Sequence, residues 1–108
     1  MTLSREFKQT VQAKARRDAR FRLELLREGV ELLLAGDVDT GKVVLRDYIN
    51  ATIGFDELAE AMQRSPKSLM RMLGPRGNPQ ARNLFEILAT LQRKEQVRFR
   101  LRAAAAGS

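Results

Sequence analysis

Apolar residues recur at intervals of three and four along almost the whole chain, and Gly and Pro fall at the edges of those runs, so the pattern predicts helix nearly throughout. Ser4 is placed to cap a first helix ending near Arg17, with Leu3, Phe7, Val11 and Ala15 as a thin apolar stripe. Its other positions include Lys8, Lys14, Arg16 and Arg17, which predicts either a loosely docked, frayed terminus or a segment that orders on a partner. Asp18 can cap a second helix reaching Ala35. Leu23, Leu26, Val30 and Leu33 form one face, and Phe21, Leu25, Leu32 and Leu34 widen it beyond a third of the circumference, an arc that needs a central position or a second subunit. Gly36 ends this helix, and Asp37-Val38-Asp39-Thr40 reads as a loop closing on Thr40 as the next N-cap. In the third helix Val44, Leu45, Tyr48, Ile49 and Thr52 share a buried face until Gly54.

The next forty residues carry the strongest local signals. Phe55 to Met62 predicts a short helix with Leu58, Ala59 and Met62 inward, Gln63-Arg64 turn the chain, and Ser65-Pro66 starts a second short helix. Ser at the cap with Pro at the first helical position is a firm start, because the donor that Pro lacks is unpaired there anyway. This helix buries Leu69, Met72 and Leu73 and stops at Gly74-Pro75, so the two short helices read as a helix-turn-helix. Asn78-Pro79 repeats the cap-plus-Pro device ahead of a longer helix with Leu84, Ile87, Leu88 and Leu91 inward, ending near Lys94. The period then changes. Val97-Arg98-Phe99-Arg100-Leu101-Arg102 alternates apolar and basic, which predicts a strand with Val97, Phe99 and Leu101 on its buried face. No other segment alternates, so that strand must pair with its symmetry mate in a homodimer, add to a partner's sheet edge, or stay unpaired. The expected fold is all-α, a five- to six-helix bundle with a helix-turn-helix and a short C-terminal strand. Residues 1–40 form a helical extension for dimer or partner contact, 41–96 the helix-turn-helix domain, 97–102 the strand and 103–108 a disordered tail.

Charge sharpens this picture. The net charge of +7 is segregated: residues 1–22 carry +5, residues 23–63 carry −6 and residues 64–108 carry +8. Separate blocks of opposite sign suggest separate faces for separate partners, with a polyanion the natural partner of the last block. The chain has no Cys and no His, which removes thiol and imidazole catalysis, Cys/His metal sites and disulfides. No pair of carboxylates stands in an evident pocket, so the expectation is a non-enzyme without catalytic residues, metal or cofactor. Apolar runs are three or four residues long, far short of the ~18 that cross a bilayer. With no visible secretory signal, the expected address is the cytoplasm.

On the second short helix, with Leu69 as the buried direction, Lys67 and Arg71 fall at about 160° and 200° around the axis, opposite the core, flanked by Met70 and Ser68. Arg and Lys can donate to guanine O6 and N7 in a major groove, Ser can use either edge, and Met can lie against a thymine methyl. Lys67, Ser68, Met70 and Arg71 are therefore the candidate base-reading residues. Arg64 and Ser65 at the turn, Arg76 and Asn78 in the next loop, and Arg82 and Asn83 at the following helix are suited to phosphate, which docks without reading sequence. The run Gly74 to Pro79 lacks the strand and the Gly-Lys-Ser/Thr ending of a nucleotide loop, and Gly41-Lys42 lacks the second Gly.

The run from Leu58 through Leu73 resembles the Xre/Cro-type helix-turn-helix, and its continuation Gly74-Pro75-Arg76-Gly77-Asn78-Pro79 is similar to the addiction-module antidote branch, the HigA-like antitoxins. The likeness spans about residues 43–101. It implies that Leu58-Ala59 open the motif, that Leu69 is its buried position, that Lys67, Ser68 and Arg71 face bases, and that Arg76 and Asn78 lie in the backbone-contact loop. Gln63 stands where the turn usually holds Gly, at a cost of about 1 kcal/mol if its φ is positive. The function this implies is a dimeric, sequence-specific regulator that binds a double-stranded DNA operator, the antitoxin and autorepressor of a toxin–antitoxin operon with a toxin protein as second partner. A stand-alone repressor, and an RNA-binding or protein-docking helical module, are the alternatives.

Overall fold

The computed structural model describes residues 5–107, in which the chain forms six helices in the order α1 (Arg5–Arg17), α2 (Ala19–Leu34), α3 (Val38–Ala51), α4 (Gly54–Met62), α5 (Pro66–Met72) and α6 (Ala81–Glu95). There is no strand among the described residues. No helix among them is long and apolar enough to cross a membrane. Leu3 and the Ser4 cap lie outside the described residues.

Local chemistry explains most of the helix ends. Asp18 caps α2 by accepting from the Arg20 and Phe21 amides, and Ser65 caps α5 by accepting from Ser68 N–H at 3.1 Å. Three ends close on a residue in the left-handed region, Gly36 after α2, Gln63 after α4 and Gln96 after α6, with φ of +87°, +55° and +60°. Each returns two amides to the last turn, as when Gln63 N–H reaches Glu60 O and Arg64 N–H reaches Ala59 O.

Several expected boundaries move. Asp37, not Thr40, caps α3: its carboxylate accepts from Thr40 N–H at 3.3 Å, so the expected loop 38–40 is already the first turn of the helix. α3 stops at Ala51, ahead of the expected Gly54, and α4 opens on Gly54 itself. Asn78-Pro79 does not cap α6, which starts at Ala81 behind an extended Gln80 with no side-chain cap; Pro79 biases Asn78 away from helix, and the turn begins only beyond it. Residues 97–102 form no strand. A strand needs a ladder partner and this chain offers none, so the Phe99 amide donates instead to the Gln92 side chain at 2.9 Å. Phe99 still packs against the core, whereas Leu101 is 81% exposed.

The core joins all of α2 to α6. Leu26, Leu45, Ile49, Leu58, Leu69, Leu73, Ile87 and Leu91 are buried in one cluster with Tyr48 and Phe55. Leu26 belongs to that cluster, so no break between cores falls at residue 40, and α1 docks through the fully buried Ala15. The α2 and α3 backbones pack closely at two buried glycines: a Cβ on Gly41 would lie 2.9 Å from Leu33 Cδ2, and one on Gly29 3.1 Å from Leu45. A polar hub ties the far ends of the chain together. Arg22 Nε donates to both Glu95 oxygens at 2.9 Å, its Nη1 donates to Ala15 O at 3.1 Å, and the Tyr48 hydroxyl donates to the same carboxylate. Burial, and next the Glu95 carboxylate, push the Tyr48 hydroxyl well above its usual range.

Candidate nucleic-acid interface

α4 and α5 are joined by Gln63, Arg64 and Ser65, and the left-handed Gln63 turns the chain sharply enough for α5 to lay its apolar side on the core. Leu69 and Leu73 are completely buried there. The opposite side of α5 is open: Lys67 and Arg71 are exposed, Met70 is 46% exposed and Ser68 is partly buried. The helical spacing that sets Lys67 and Arg71 against Leu69 is thus realised.

Beyond α5 the chain returns past its own helix. Ser68, Arg71, Met72, Arg76, Gly77, Asn78 and Pro79 line one open depression, which brings two of the expected base-reading residues together with two of the expected phosphate groups. Two features that the sequence reading passes over hold that loop. Lys42, only 3% exposed, reaches from α3 to donate its ammonium to Gly74 O at 3.0 Å and Gly77 O at 2.7 Å, with the Asp39 carboxylate 3.7 Å away. The fragment Gly41-Lys42 is therefore a latch whose donors are spent on loop carbonyls. Gly77 passes so close to α5 that a Cβ there would lie 2.1 Å from Arg71 O and 2.4 Å from Met72 O. A Lys inside an amphipathic run and a Gly among other glycines carry no local mark of these roles.

The remaining expected phosphate residues divide. Arg64 donates to Asn83 Oδ1 at 2.8 Å and sits 3.3 Å from the Glu86 carboxylate, so Arg64 and Asn83 join the turn to α6 and their partnership limits what they offer a ligand. The Ser65 oxygen is engaged in the cap, leaving its O–H as a donor. Arg82 is exposed in the first turn of α6. Among the described residues, Lys67, Arg71, Arg76 and Arg82 are in no ion pair, as holds for most of the chain's cations, whereas Arg22, Arg27, Lys42, Arg64 and Lys94 are paired. The expected dimer strand is not gathered with this face: Val97 and Phe99 are partly buried behind α6 and Leu101 projects into solvent. No three Cys, His, Asp or Glu side chains among the described residues come together as metal ligands would.

Compared with family models, with curated proteins and with solved structures, the chain matches none.

Proposed function

We propose that this chain is a sequence-specific DNA-binding regulator that acts as a dimer, with α5 reading bases in the major groove. One observation carries the reading: α5 is anchored by Leu69 and Leu73 while Lys67 and Arg71, exposed and without ion pairs, point away from the core beside Ser68, Arg76 and Asn78. Cations left unpaired on a rigid helix present donors to a ligand; cations that only solubilise a surface gain nothing from such convergence. An α-helix with its side chains is about 10–12 Å across, which suits a major groove about 12 Å wide.

In this reading Lys67, Ser68, Met70 and Arg71 contact base edges, while Arg76, Asn78 and Arg82, with the spare donors of Arg64, Ser65 and Asn83, hold phosphates. Two copies would place two α5 helices in successive grooves about 34 Å apart. The resemblance of residues 58–79 to HigA-like antitoxins extends the proposal to an autorepressor of a toxin–antitoxin operon, in which a toxin protein is the second partner. Selection of bound duplexes from a random library tests it. Recovery of a two-fold symmetric site with half-sites one helical turn apart is the expected result. Recovery of no common sequence, with RNA bound equally well, would overturn the reading in favour of an RNA-binding module.

A further inference from the structure

Two surfaces away from α5 have matching chemistry. The first is a groove among α1, α2 and α3 with an open volume of about 710 Å³, within the range of sites that enclose a ligand. Partly buried Phe21, Leu25, Leu32 and Val44 form its apolar floor. Its rim is acidic, with Glu24, Glu28 and Glu31 from α2 and Asp47 from α3. Two cations also stand there, Lys8 and Arg27, but Arg27 is bonded to Glu31 at 2.8 Å and lies 3.6 Å from Glu24. The side chains of Glu28 and Asp47 are in no hydrogen bond or ion pair among the described residues. Burial raises the Asp47 carboxyl above its usual range, with Lys8 and Arg46 opposing the shift only in part.

The second surface is the C-terminal segment. Phe99 is its anchor, packed on the core and bonded to Gln92. Past Phe99 the chain carries Arg100, Leu101 and Arg102; Leu101 is 81% exposed, and neither arginine is in an ion pair among the described residues. The segment lies in a second depression that shares Arg27, Glu31 and Ala35 with the groove, so the α2 ridge separates it from the groove of its own chain.

We propose that the groove receives residues 100–102 of a second copy, with Leu101 entering the apolar floor and Arg100 and Arg102 meeting the carboxylates of Glu28 and Asp47. The exchange is reciprocal, so one contact type joins the groove and the segment of both chains, as an isologous dimer requires. Charge complementarity selects this occupant: an acidic, apolar groove on a chain of net charge +7 faces a segment of that chain that alternates arginine with apolar residues. The proposal rests on the dimeric part of the reading above and is independent of DNA.

The test uses the full chain without DNA. Sedimentation equilibrium should show a dimer at tens of micromolar, and either charge swap, Arg100→Glu with Arg102→Glu or Glu28→Lys with Asp47→Lys, should raise the dimer dissociation constant by at least about tenfold. The chain carrying all four substitutions should regain dimerisation to within about threefold of the original, a recovery that a folding defect could not produce. Because the chain has no Cys, a mixture of Leu101→Cys and Leu32→Cys proteins should form the mixed disulfide in preference to either symmetric one. A monomer at 100 micromolar, as an order-of-magnitude ceiling, would overturn the proposal. So would a dimer indifferent to both swaps, which would place the second copy elsewhere and leave the groove to another protein. Failure here leaves the duplex selection unaffected, so the two readings fall separately.

Discussion

Lys42 shows how much one side chain can decide at the residue scale. Its ammonium is buried and satisfies the carbonyls of Gly74 and Gly77, which fixes the loop carrying Arg76 beside α5. Lys42→Met keeps the aliphatic stem but takes the donor from Gly77 O and leaves Gly74 O only the Gly77 amide, so we expect a loss of about 1–3 kcal/mol in urea unfolding. Gly77→Ala meets backbone, not a movable side chain, and should cost at least as much, because the chain must shift around a contact of 2.1 Å. The unpaired arginines separate reading from docking. Arg71→Ala should cost about 1–3 kcal/mol per half-site on the selected duplex and little on a scrambled one. Arg82→Ala should weaken both alike and reduce the salt dependence by about one counterion per subunit. Equal losses on both duplexes for Arg71→Ala, measured across a salt series, would show that α5 does not read sequence.

At the scale of elements, capping residues decide how α4 and α5 meet. Gln63 occupies the left-handed region at φ +55°, where a residue with a Cβ is strained and Gly is not. Gln63→Gly should therefore stabilise the fold by about 0.5–1 kcal/mol, offset partly by the greater freedom of Gly in the unfolded chain. Ser65→Ala removes the bond to the Ser68 amide and should cost about 1 kcal/mol. The two changes bracket one turn and carry opposite signs, so thermal melts of both variants check the assignment. A loss on Gln63→Gly would mean that the Gln63 side chain contributes more than its backbone costs.

For the whole molecule, the hub at Glu95 matters most, because it binds α6 to the α1–α2 junction and to α3 across 73 positions of sequence. Glu95→Ala leaves Arg22 partly buried without its carboxylate and removes the acceptor of the Tyr48 hydroxyl. The expected loss is about 1–3 kcal/mol, below that of a fully buried pair because the Arg22 side chain remains 24% exposed. A double-mutant cycle with Arg22→Ala should return a coupling of at least about 0.5 kcal/mol, and additivity would show that the pair does not hold the ends together. Charge is also a whole-molecule property. Lys67, Arg71, Arg76 and Arg82, cations without ion pairs, lie on α5, the following loop and the start of α6, while the acidic rim of α2 and α3 belongs to another surface, in keeping with the segregated charge blocks of the sequence.

The sequence by itself determined the helical class, the caps at Asp18 and Ser65, the stop at Gly36, the inward leucines of α5 and α6 and the outward Lys67 and Arg71. These follow from interactions within about four residues, which spacing and side-chain chemistry express directly. Only the tertiary structure decided that Lys42 is a latch, that Gly77 has no room for a Cβ, that Arg64 and Asn83 hold each other, and that Glu95 joins the chain's ends. Each of those depends on groups 5 to 73 positions apart that meet only once the helices have packed. The alternation at 97–102 marks the border between the two kinds of information. Its period suits a strand, but a strand is a relation between two segments, and a single copy of this chain supplies only one.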